Sequence, residues 1–147
     1  MTETVLKLKH QDKISKLNLT DCPPKESKQK DCECFRFCFD NLAHPDTWIT
    51  QAEKLTAIGK FPRGNANDRR TCEDFGLSFF IDEENARITW RAFPAGIKKM
   101  LGYTKVMTGK ILKTDGLCTA TTHQGHFNLH EYEKCNLNGR FKIASSL

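Results

Sequence analysis

Three groups of residues in this chain have the types and spacing that chemistry requires. The first is thiol and imidazole. Cys32, Cys34 and Cys38 form a C-x-C-x3-C run, and His123, His126, His130 and Cys135 form an H-x2-H-x3-H-x4-C run. Both look like lists of metal ligands, but strand geometry separates them. At roughly 3.3 Å per residue, Cys34 and Cys38 on one strand stand about 13 Å apart, too far to share one tetrahedral ion. The same step divides His126 from His130, and no Cys-x2-Cys knuckle occurs. The expectation is small buried thiols and no metal.

The second group pairs a thiol with a later histidine. In "TCEDF", Cys72 can open a helix, where the helix dipole lowers a thiol pKa, and "GHFNL" can present His126 from a strand. This order resembles that of NlpC-type cysteine hydrolases, and the resemblance implies Cys72 as nucleophile and His126 as base.

The third group is an order along the chain. It runs from Arg36 between Phe35 and Phe37, through Ser78 between Leu77 and Phe79, to Glu131 and Glu133 around Tyr132. It resembles the Arg, Ser, Glu pattern of ADP-ribosyltransferases, in which a helix carrying small residues follows the Ser strand, here the helix with Ala86. The resemblance implies NAD as substrate and an acceptor, protein or nucleic acid, that the sequence leaves open. Arg36 would grip the dinucleotide in bidentate fashion and Ser78 would orient the nicotinamide ribose. Glu133 would stabilise developing oxocarbenium charge, and Glu131, two residues earlier on the same strand face, would activate the acceptor. Phe80 or Tyr103 would stack on the nicotinamide.

The frame that must hold these groups is small. The chain has 147 residues, enough for one domain with a real core. No run of eighteen apolar residues occurs, and lysines interrupt the first thirty, so membrane spanning and export are disfavoured and a reducing cytoplasm is expected. The net charge is +5, and seven lysines against four acids place much of it in residues 1–30. That segment reads as a polar, Lys-rich arm that contributes little to a core, with an edge strand in "VLKLKH" as one option. With Arg63, Arg69, Arg70, Lys98 and Lys99 it gives the alternative function: a non-catalytic module binding a polyanion such as nucleic acid, or a protein partner.

Residues 31–147 read as a single α+β domain. "ECFRFCF" alternates with period 2, which puts Phe35, Phe37 and Phe39 on the core face and Cys34, Arg36 and Cys38 opposite. Residues 46–58 carry an apolar helical stripe through Trp48, Ala52, Leu55 and Ile58, capped by Asp46 or Thr47, with Gly59 just beyond the end. A strand over 75–81 precedes a helix capped by Asp82, and a short further turn ends at Gly102. Asp115-Gly116 and Asn138-Gly139 suit type I′ turns, so the last third reads as an antiparallel meander. Together these predict a strongly curved or split, mainly antiparallel sheet with two or three helices and a basic N-terminal arm.

Overall fold

A computed structural model describes residues 6–147. Val5, the first residue of the anticipated edge strand, lies outside them. The elements are α1 (Gln11–Lys16), β1 (Cys32–Cys38), α2 (Gln51–Ala57), α3 (Asp68–Glu73), β2 (Leu77–Phe80), α4 (Glu83–Ala92), α5 (Ala95–Leu101), β3 (Lys105–Ile111), β4 (Gly116–Cys118), β5 (His126–Glu131) and β6 (Phe141–Ser146). The strands form one open antiparallel sheet in the order β4-β5-β2-β1-β3-β6. The class is α+β, with five helices among the described residues rather than two or three.

The C-terminal meander is corrected by this order. Although β3 and β4 are consecutive in the chain, β3 lies between β1 and β6 while β4 pairs with β5 at the far edge. Asp115-Gly116 is therefore not a hairpin tip. The Asp115 N–H closes a turn onto the Leu112 carbonyl at 2.9 Å, and Gly116 starts β4, where a side chain would overlap the His130 carbonyl. Gly139 does take a left-handed φ of +82°, but its loop leads to β6, which pairs with β3 and not with β5.

Helix ends follow their caps. The Asp82 side chain accepts the Asn85 N–H and starts α4 as expected, and Gly102 ends α5 in the left-handed region. The predicted start at Asp46 or Thr47 is corrected to Gln51. Thr50 and Glu53 form a capping box there, each side chain accepting the other's backbone N–H at 3.2 Å.

Period-2 alternation in β1 is real, but its faces are exchanged. Cys34, Arg36 and Cys38 are the fully buried set, on the main core with Leu77, Phe79, Met107, Ile111, Phe127, Leu129 and Phe141. Phe35 and Phe37 are half-buried on the opposite face, packed with Phe80, Ala86 and Val106 beneath α4. The reason is coverage. Residues from irregular segments, Leu42, Trp48 and Leu137, close the main core, whereas α4 covers only part of the Phe face. Each large apolar side chain fully buried this way stabilises the fold by roughly 1.5–3 kcal/mol.

The front segment is also corrected. Leu8 and Ile14 are buried, and Ile14 packs with Ala52 and Phe75 in a core of its own. Lys28 exchanges two backbone hydrogen bonds with Cys118, and the Lys9 N–H donates to the Glu131 carbonyl at 2.9 Å. Among the described residues of "VLKLKH", only Leu8 forms a bridge, to Tyr132. A disulfide joins Cys22 to Cys72, against the expectation of free thiols. Cys32, Cys34, Cys38, Cys118 and Cys135 are free, and burial pushes Cys38 and Cys118 up to about 11. No described helix is long and apolar enough to cross a membrane.

Candidate functional site

Arg36 sits on β1 with its side chain 6% exposed as a residue and without a carboxylate partner among the described ion pairs. Its three nitrogens each donate to a backbone carbonyl: Nε to Thr47 at 3.2 Å, Nη1 to Ser78 at 2.9 Å and Nη2 to Ile49 at 3.4 Å. Trp48 and Phe79 lie 5.9 and 5.6 Å from the guanidinium carbon, within cation–π range. Burial lowers the Arg36 pKa, and these dipoles and ring faces offset part of that penalty. The fork that was expected to hold a dinucleotide instead fastens the segment before α2 to β2.

Ser78 points to the other side of β2. Its Oγ lies 2.5 Å from His126 Nε2. This meeting comes from register: β2 and β5 pair Ser78 with Asn128 and Phe80 with His126, which makes Ser78 and His126 diagonal neighbours on one face. Burial first, and the nearby Arg70 second, lower the His126 pKa, so the ring is neutral at pH 7. A neutral ring accepts the Ser78 hydroxyl at Nε2 when its own proton is on Nδ1.

Around this pair is a cavity of about 290 Å³ lined by Phe37, Phe80, Phe93, Leu101 and Tyr103, with Ser78, His126, Gln51, Gln124 and Thr89 as its polar groups and Arg36 at its wall. The aromatic side chains form one cluster. The Phe37 ring centroid is 5.3 Å from Phe80, 5.8 Å from Tyr103 and 5.4 Å from Trp90, which lies behind it on α4. Lys54 Nζ donates to the Tyr103 hydroxyl at 3.0 Å and helps fix that lining ring.

Four of the anticipated site residues, Arg36, Ser78, Phe80 and Tyr103, thus line one cavity. Glu131 and Glu133 do not line it. Glu131 is buried on the face it shares with Phe127 and Leu129, 2.8 Å from Lys9 Nζ. Burial raises its pKa, and Lys9 works against that rise. Glu133 lies beyond the end of β5, exposed and 4.0 Å from Lys7. The two were expected to share a cleft by i, i+2 alternation, but β5 ends between them.

The thiol nucleophile is corrected as well. Cys72 is near the end of α3, not at the start of a helix, and its sulfur is bonded to Cys22. The residue that sequence reasoning underused is His126. It was weighed as a metal ligand and as a partner for Cys72, and no local signal links it to Ser78. Only the pairing of β2 with β5 does so.

No family model, curated protein or solved structure matches this chain.

Proposed function

We propose that the protein binds a small ligand through a flat, polar-edged ring of the nucleobase or nicotinamide type, seated in the aromatic cavity beneath α4. One observation carries this: a Ser78–His126 hydrogen bond set in a cavity whose apolar walls include Phe37, Phe80, Phe93 and Tyr103. Apolar walls with a few convergent polar groups are the usual form of a small-molecule site. A ring inserted between aromatic side chains gains roughly 1–3 kcal/mol from stacking. The Gln51 and Gln124 amides each offer donors and an acceptor, which match the edge of a ring amide.

NAD is the dinucleotide form of such a ligand, and Ser78, Phe80 and Tyr103 support its nicotinamide end. Ribosyl transfer asks for more. A carboxylate must stand beside the breaking glycosidic bond, and the carboxylates of Glu131 and Glu133 are paired with lysines elsewhere. Ring binding is therefore the part of the transferase expectation that the site chemistry favours.

The test is a fluorescence titration, since Trp90 adjoins the cavity through Phe37 and Tyr103. Nicotinamide, adenosine and NAD are added in turn. The expected result is saturable quenching by at least one of them, weakened about tenfold in Tyr103→Ala. No saturable change with any of the three up to roughly millimolar concentration would falsify the proposal.

A further inference from the structure

A second and larger cavity, of about 420 Å³, lies on the other side of His126. Its floor is β5, where Asn128 and His130 follow His126 on the same face. One wall comes from α3. The other comes from residues 20–26, fastened to α3 by the Cys22–Cys72 disulfide.

His130 is the residue in this cavity that lacks a structural explanation. It is 2% exposed, and neither ring nitrogen has a hydrogen-bond partner among the described residues. A buried polar group left in this state costs roughly 1–3 kcal/mol, so native proteins seldom keep one without a use. Burial, with His10 nearby, holds the ring neutral down to about pH 4. At neutral pH it therefore presents one N–H donor and one bare acceptor nitrogen.

The walls select the charge of what His130 could meet. Asp21, Glu26, Asp68 and Glu73 line the cavity with Arg69; Arg69 Nε lies 3.7 Å from Glu73, and Arg70, not itself a lining residue, is 3.9 Å from the same carboxylate. An anion would be repelled and a cation attracted. Among the described residues no three His, Cys, Asp or Glu side chains are grouped as a metal-ligand set, which favours an organic cation. Nor does the cavity suit a quaternary ammonium, since no Phe, Tyr or Trp lines it to supply a cation–π face. What remains is an ammonium that carries its own N–H donors.

We infer that this cavity binds a small aliphatic amine in its protonated primary or secondary form, whose N–H groups donate to the unpartnered nitrogen of His130 and to the wall carboxylates. This inference does not rest on the ligand proposed for the aromatic cavity, although His126 borders both.

Isothermal titration of the full chain with spermidine tests this, with tetramethylammonium and inorganic phosphate as controls. Spermidine is expected to bind and the controls are not, and the His130 imidazole nitrogen resonances are expected to shift on saturation. Glu26→Gln is a mild probe, because Glu26 makes no ion pair among the described residues. It is expected to weaken spermidine about two- to fivefold. His130→Leu is expected to weaken it about tenfold or more. The inference is overturned by any of three results. These are no spermidine binding up to about 10 mM, binding of tetramethylammonium or phosphate of equal strength, or saturation without movement of the His130 signals.

Discussion

Replacing Arg36 by Met removes a buried cation and leaves the Thr47, Ile49 and Ser78 carbonyls without their donor. Two opposing quantities decide the outcome. Hydrogen bonds from a charged donor contribute roughly 1.5–3 kcal/mol each, so three of them give a gross loss of about 4.5–9 kcal/mol. Relief from holding an unpaired cation in a 6% exposed position returns several kcal/mol of that. The net expectation is a loss of about 2–4 kcal/mol, or roughly 5–15 °C in melting temperature for a chain of this size. Arg36→Lys is the informative companion. An ammonium is a point donor and cannot bridge three carbonyls on separate segments, so Lys is expected to lose as much as Met while keeping the charge. Thermal and urea unfolding followed by circular dichroism reads both. The reasoning is refuted if Arg36→Met melts within about 2 °C of the parent. Retained stability in Arg36→Lys would point the same way, to a guanidinium free to serve a ligand.

Two further outcomes follow from groups already described. Reduction of the Cys22–Cys72 bond, or Cys22→Ser, frees a loop spanning 50 residues and is expected to cost up to about 4 kcal/mol, visible as a lower melting temperature with reductant; equal melts in both states would contradict it. Burial lowers the folded pKa of His130 to about 4 from 6.5, so the unfolded chain takes up the proton first as pH falls. The stability present above pH 6.5 should therefore drain away between pH 6.5 and about 4, by about 3 kcal/mol in all. His130→Gln should flatten that window by the same amount, and an unchanged slope would count against it.

Local signals were legible in the sequence where a local cause fixed the structure. Asp82 starts α4, Gly102 ends α5, and the alternation of residues 32–38 makes β1, because each depends on neighbours a few positions away. Long-range choices were not legible. Which face of β1 is buried depends on what covers it, and Phe37 looked like the natural core residue until Trp48 and Leu137 closed the other side. The turn dipeptides Asp115-Gly116 and Asn138-Gly139 carried the right residue types, yet strand order sends their flanking strands to different partners. The site divides in the same way. Ser78, Phe80 and Tyr103, named from a family resemblance, line one cavity, while His126 joins them only through the β2–β5 register, and Glu133 lies beyond the end of β5.

His126 borders both cavities through a single imidazole, with Nε2 against Ser78. A ring has two nitrogens and, when neutral, one proton to divide between them. A guest that draws the proton to one nitrogen thereby changes what the other nitrogen offers across the partition. Thermodynamic reciprocity then requires that whatever factor one occupant imposes on its neighbour's affinity is returned unchanged, typically about 5- to 150-fold where such coupling exists. Were both cavities to hold the ligands proposed above, the two would share one string, and measuring either ligand alone would give only half of its tuning.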